Sequence, residues 1–380
     1  MKPEVCRPLQ GLIVLIGSAV LLCIIARDFG FGKGRNPEEP DVLAGRLVRW
    51  SPKLRLSDHA EVLTSSLEDP RGLAYDDDGR RILIADGPRR KLISYSIKDG
   101  RIEQPAGDQP YEYCLQVSCE ETDPRGITIW SGNLYVAEHG LNRIAMRTIC
   151  HKKNGQSDEH DQDYEGNFPE QPSQLNGPSS IAFNRDGDTA FVTDDRPWPG
   201  SAGQQTAYDS ADYAHWLDHN TPRLFGSVYQ IKIKEEEGMN AELIDATLPH
   251  PSGIALSPDG MTLYVAICDG HQTQWVVFKR ASLGADAWKK SGVLASEKLK
   301  DGIIPPYQGI VTDESGQFIY AAGPGGLYIL DSTGTGLGRM EFDGRVTGLA
   351  WGTDADGCGN YLYFAAGHTL CRLKIDTGSK

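Results

Sequence analysis

The chain has no excess of positive charge. Its 380 residues hold 38 Lys and Arg against 52 Asp and Glu, a formal net charge of -14. A nucleic-acid surface needs a clustered basic patch, so that class of partner is excluded and an acidic globular body is the plain reading. Other absences narrow the chemistry. The eight cysteines show no zinc-site spacing. No G-x-S-x-G elbow stands between a strand and a helix, and no phosphate-binding P-loop occurs. There is no N-x-[ST] acceptor with x other than Pro, which argues against a heavily glycosylated exterior. Helical periodicity is scarce after the first 26 residues, which leaves β structure.

What is present is one pattern in six copies. The clearest is HPSGIALSPDGMTLYVA at 250–266: a tight start, alternating apolar residues, an Asp-Gly corner and a second apolar strand. The Gly or Ser before the first apolar pair falls at Gly72, Gly126, Ser180, Gly253, Gly309 and Gly348, at intervals of 54, 54, 73, 56 and 39 residues. Intervals near 50 leave room for two more strands after each hairpin, the size of a four-stranded propeller blade. The reading is therefore all-β, a six-bladed β-propeller over 59–376. After the sixth hairpin the chain supplies only TLCRLKI from Thr369, so blade six is one strand short; AEVLTSS from Ala60 is expected to complete it and close the ring.

Residues 11–26, GLIVLIGSAVLLCIIA, are apolar and flanked by Lys and Arg. They read as an uncleaved signal anchor (1–26), with a cleaved signal peptide as the alternative. Either delivers the propeller to a lumen or the outside, and the anchor ties it to a membrane. Residues 27–58, rich in Gly, Pro and charge, read as a stalk. In an oxidising compartment Cys114 and Cys119, sharing one short loop, are the expected disulfide. Two insertions, 151–175 and 195–225, are expected over one mouth of the central tunnel. The second carries Trp198 and Trp216, as a substrate wall or as the packing of the loop on itself.

The segments LNGPSSIAFNRDGDTAFVTDD, LPHPSGIALSPDGMTLYVA and PPYQGIVTDESGQFIYAAGPGGLYILD, with VAEHG from Val136, resemble the gluconolactonase, senescence marker protein and luciferin-regenerating-enzyme-like superfamily over roughly residues 60–375. The layout is also similar to strictosidine synthase-like and membrane-anchored arylesterase-like propellers. The resemblance implies a hydrolase with one divalent cation, calcium or zinc, held at the tunnel mouth by a Glu, two Asn and an Asp at the starts of inner strands. Those positions fall here on Arg71, Ser179, Ser252 and Gln308, so none of the four is kept. Glu68 would replace the lost carboxylate only if the first strand were shifted.

A guanidinium, two hydroxyls and an amide offer a divalent cation no fixed negative charge. The expectation is then a lactone or ester hydrolase with a remodelled site at Ser179, Ser252, Gln308 and His250, with His250 as general base. A second reading is a non-catalytic propeller in which Arg71 and Arg125 bind an anionic small molecule bidentately, unless both are tied into salt bridges with Asp69, Asp123 or Glu138. A third is a strictosidine-synthase-like enzyme, for which no acid or base stands out. His139 reads as structural, and Asp194 and Asp195 either as cation ligands together with the acidic first insertion or as part of a solvated acidic loop.

Overall fold

The computed structural model of the chain describes residues 46–49, 51, 59–87, 91–103, 123–149, 165–167, 175, 177–195, 226–234, 238–268, 272–282, 287–298, 307–342 and 345–375. All of them lie within one compact unit, Leu43–Lys380. The apolar run 11–26, Trp198, Trp216 and the Cys114–Cys119 pair lie outside the described residues. Among those described, no helix is long and apolar enough to cross a membrane. Cys268 and Cys371 are buried thiols outside any disulfide, and Cys358 is disulfide-bonded.

Two strands precede the first repeat, β1 (Arg46–Arg49) and β2 (Glu61–Thr64). Blade one is β3 (Pro70–Asp76), β4 (Arg81–Asp86), β5 (Lys91–Ser96) and β6 (Arg101–Ile102). Blade two is β7 (Pro124–Trp130), β8 (Asn133–Glu138), β9 (Arg143–Thr148) and β10 (Glu165–Asn167). Blade three is β11 (Pro178–Phe183), β12 (Thr189–Asp194), β13 (Gly226–Lys234) and β14 (Gly238–Leu248). Blade four is β15 (Ile254–Leu256), β16 (Thr262–Cys268), β17 (Gln272–Arg280) and β18 (Trp288–Lys298). Blade five contains β19 (Ile310–Thr312), β20 (Phe318–Gly323), β21 (Gly326–Asp331) and β22 (Gly336–Glu341). Blade six contains β23 (Val346–Gly352), β24 (Tyr361–Ala366) and β25 (Thr369–Lys374).

The six-bladed propeller read from the repeats is what forms, including its closure. β2 pairs antiparallel with β25, Glu61 opposite Arg372 and Val62 opposite Cys371, so the N-terminal strand is the fourth of blade six. Arg372 Nε donates to Glu61 Oε2 at 2.7 Å across this seam. Two features were not expected. Within the stretch read as stalk, β1 pairs with β22 and gives blade five a fifth strand. Within the first insertion, β10 is the outermost strand of blade two.

Each blade is sandwiched between two others, so both faces of its middle strands must be apolar. β4 reads RILIAD, buried throughout. The apolar clusters accordingly lie between blades: Leu83 and Ala85 of blade one meet Ile127, Leu134 and Val136 of blade two. Equivalent layers join two to three, three to four, four to five, five to six and six to one. Each such Leu, Ile or Val contributes about 2 kcal/mol by leaving water.

At the axis the packing is of backbone on backbone. A Cβ on Gly72 would collide with the carbonyl oxygen of Arg125, on Gly126 with Ser179, on Gly253 with Gln308, on Gly309 with Thr347 and on Gly348 with Arg71. Gly253 N donates to Gln308 O at 2.9 Å and Gly309 N to Thr347 O at 2.8 Å. The repeated glycine is thus a requirement of close approach. Ser180 takes that position in blade three, and its hydroxyl meets that of Tyr307 at 3.2 Å.

Gly348→Ala drives a methyl into the Arg71 carbonyl at the seam between blades six and one and is expected to cost about 3 kcal/mol. Gly132→Ala, at a turn with φ +74 and open space around its Cα, costs only the backbone penalty of about 1 kcal/mol. Urea unfolding of the two variants checks the difference; equal losses would mean the axial contact is not tight.

Candidate functional site

The residue three before each axial Gly or Ser is Asp69, Asp123, Gly177, His250, Pro306 and Arg345 in blades one to six. The residue just before it is Arg71, Arg125, Ser179, Ser252, Gln308 and Thr347. Apart from Pro306, which lies outside the described residues, these positions, an outer and an inner layer, sit at the starts of the inner strands β3, β7, β11, β15, β19 and β23. A repeated backbone bond fixes the outer layer: the amide after the second strand donates to the carbonyl of Asp69 (from Gly87, 3.1 Å), Asp123 (from His139, 3.3 Å), Gly177 (from Asp195, 2.8 Å) and Arg345 (from Gly367, 2.8 Å).

Both arginines of the inner layer are in ion pairs that cross blades. Arg71 donates Nε to Asp69 Oδ2 at 3.3 Å and a terminal nitrogen to Asp123 Oδ1 of blade two. Arg125, 1% exposed, donates to Ser179 Oγ and to Asp195 Oδ2 of blade three, each at 3.1 Å, and lies 3.6 Å from Asp123 Oδ2. Glu138, considered above as a partner for these arginines, takes Arg143 Nε at 2.5 Å instead. Glu68 is exposed, and its amide donates to Asp86 Oδ2 at 3.1 Å.

The other inner-layer groups are tied to backbone or to adjacent strands. Ser252 Oγ donates to the carbonyls of Ala266 and Gln308 at 3.3 and 3.4 Å. Thr347 Oγ1 donates to Pro70 O at 2.6 Å. Gln308, 1% exposed, gives Nε2 to Thr273 Oγ1 at 2.6 Å, and its buried Oε1 has no partner among the described residues.

His250 stands at φ +41, strained for a residue with a side chain. Its Nδ1 lies 2.9 Å from Asp195 Oδ1. An ionised carboxylate only accepts, so Nδ1 carries the hydrogen and proton exchange falls to Nε2. Asp195 thus bridges His250 of blade four and Arg125 of blade two. Burial pulls the Asp195 carboxyl up, but His250 and then Arg125 outweigh it and hold it down at about 2. Asp123 is likewise held at about 2, burial being overcome by Arg71 and Arg125. Both stay ionised at neutral pH.

His139 belongs to this cluster as well, although from the sequence it read as a structural loop residue. It sits in the short 3-10 turn His139–Leu141, is 4% exposed, and neither ring nitrogen has a hydrogen-bond partner among the described residues. Burial, then the charge of Arg125, lowers it to about 4, with Asp123 and Asp195 opposing. Its signal in the sequence was VAEHG alone, which does not report that the loop turns inward.

The implied divalent cation does not fit this donor set. Of the four carried-over positions, Arg71 is a cation in ion pairs, Ser179 accepts from Arg125, Ser252 donates to carbonyls, and Gln308 offers a single amide oxygen. Among the described residues no group of three or more His, Cys, Asp or Glu could hold a metal. Oxygen ligands of net negative charge, which calcium requires, are committed here to arginine.

Stability should fall in acid in two stages. Between pH 6.5 and 4 the unfolded chain protonates His139 and the folded one does not, a loss of roughly 3 kcal/mol. From 3.8 down to about 2 the depressed Asp123 and Asp195 carboxyls then lose their contribution. Urea unfolding across pH 4–7 should show the first stage in the wild type and a flatter profile in His139→Gln; identical profiles would mean that His139 is not held neutral.

A scan against protein-family models finds no match. The chain is 24% identical over 347 residues to a gluconolactonase of Zymomonas mobilis, covering 88% of this chain and 87% of the relative. Among solved structures, a gluconolactonase from Xanthomonas campestris superposes with a TM-score of 0.59 at 20% identity, over 90% of this chain and 99% of the other. Regucalcin of Agrobacterium tumefaciens, a calcium-binding protein, gives 0.51 at 14% identity, over 83% and 93%. The repeats, the six-bladed ring and the likeness along nearly the whole chain show a six-bladed propeller similar in sequence and fold to gluconolactonases.

Proposed function

We propose that this propeller hydrolyses a lactone or ester at the tunnel mouth with His250 as general base, and without the cation of its relatives. One observation carries the reading: the His250 Nδ1 contact with Asp195 Oδ1 at 2.9 Å, its carboxylate anchored from behind by Arg125 at 3.1 Å. The strained backbone of His250 aims the ring, and the Arg125–Asp195 pair fixes its tautomer.

Nε2 takes a proton from a water molecule as the water oxygen bonds to the substrate carbonyl carbon. The tetrahedral intermediate then expels its alkoxide, the acyl C–O bond breaks, and Nε2H returns the proton to that oxygen. The products are a carboxylic acid and an alcohol, joined in one molecule when the substrate is a lactone. The ion pairs of Arg71 and Arg125 with Asp69, Asp123 and Asp195 engage the groups that an anion-binding propeller would need, so hydrolysis is favoured over that alternative.

The test is acid release from glucono-1,5-lactone and from simple aryl esters. His250→Gln should lower kcat by roughly 100- to 1,000-fold, the range of general acid–base catalysis. Asp195→Asn should lose a comparable factor, because Asn can present its N–H to Nδ1 and select the wrong tautomer. Turnover should survive exhaustive chelation. Hydrolysis that needs calcium or zinc and ignores His250→Gln would sink the reading.

A further inference from the structure

Arg345 stands apart from the other arginines of the mouth. It occupies on blade six the outer-layer position that Asp69 occupies on blade one, held by the same backbone bond, here from Gly367 N at 2.8 Å. Arg71 and Arg125 are each committed to two aspartates. The Arg345 guanidinium has no hydrogen bond or ion pair among the described residues, and Asp69 acts on it only through its charge. Its side chain reaches solvent, yet its surroundings are crowded enough that burial lowers the guanidinium below its ordinary range, Asp69 opposing. A cation so placed gains from an anionic partner that brings its own hydrogen-bond acceptors.

A second group with unmet bonding lies on the blade between. His250 is on blade four and Arg345 on blade six, both in the outer layer. Gln308, one layer deeper on blade five, holds its Oε1 buried without a donor. Its amide is fixed through Nε2 by Thr273, so Oε1 is an acceptor waiting for an O–H or N–H.

We propose that the substrate is a hydroxylated lactone or ester bearing a carboxylate, with Arg345 as its anchor. The carbonyl under attack lies at His250, the carboxylate is gripped by the Arg345 fork on blade six, and a hydroxyl between them donates to Gln308 Oε1. The carboxylate takes no part in the bond changes. Water adds to the carbonyl, the acyl C–O bond breaks, and the product is a hydroxylated dicarboxylate. This rests on the hydrolase reading above and adds the substrate's charge to it.

The test compares glucaro-1,4-lactone, which carries a carboxylate, with glucono-1,5-lactone, which does not, using the full chain. The wild type should prefer the anionic lactone. In Arg345→Ala the ratio of kcat/KM, anionic over neutral, should fall roughly 10- to 100-fold, mainly through KM, the loss of a charge-assisted bidentate contact. Arg345→Lys should recover part of it by keeping the charge without the fork. An unchanged ratio in Arg345→Ala overturns the proposal. Calorimetric binding of glucarate separates the two readings. Glucarate binding that Arg345→Ala weakens, in a protein that hydrolyses neither lactone, would overturn hydrolysis and keep the anchor. Hydrolysis of both lactones with glucarate binding indifferent to Arg345 would overturn the anchor and keep hydrolysis.

Discussion

The close approach of inner strands at the tunnel axis is the constraint from which the rest of the structure follows. Where Gly348 meets the carbonyl of Arg71 and Gly72 that of Arg125, two blades share backbone contact with no side chain between them. That contact fixes the angle between blades, and hence the apolar layers that fill the widening gaps further out. It also fixes the mouth. With the strands locked one residue deeper, Arg71 and Arg125 come within reach of the outer-layer carboxylates and Asp195. A distortion at the axis would therefore be felt as an altered pairing at the site.

The site itself is an exchange of one electrostatic solution for another. The resemblance implies a mouth that gathers carboxylate and amide oxygens round a divalent cation. This one gathers Asp69, Asp123 and Asp195 round two guanidiniums built into the inner strands. In both, blades contributed from distant parts of the chain are bound by charge at the axis. The arginine version holds Asp123 and Asp195 ionised, and Asp195 orients an imidazole.

Much of the fold was legible because its causes are local and repeated. The axial Gly, the Asp-Gly corner and the interval near 50 residues recur within each copy, and the missing strand of blade six could be counted. That the positions implied for metal ligands hold Arg71, Ser179, Ser252 and Gln308 was equally readable at fixed register. The pairing of His250 with Asp195 was not, because 55 residues separate them and only the ring brings blades three and four together. Nor was the inward turn of His139, or the contrast between Arg345 and the paired arginines, since that depends on which aspartate each guanidinium reaches. β1 escaped notice because four residues, RLVR, carry too little periodicity to stand out from a charged linker.

That short strand sets how the ring responds to force. A pull on the chain from before residue 46 arrives first at β1, whose ladder to β22 runs from Arg46 opposite Glu341 to Arg49 opposite Gly338. Only when that ladder parts does tension reach β2, the strand that seals blade six. β1 is thus a strain relief in series with the closure. A tug at the N-terminal side would be absorbed on the outer edge of blade five, leaving the seam between first and last blades, and the mouth built over it, under no load.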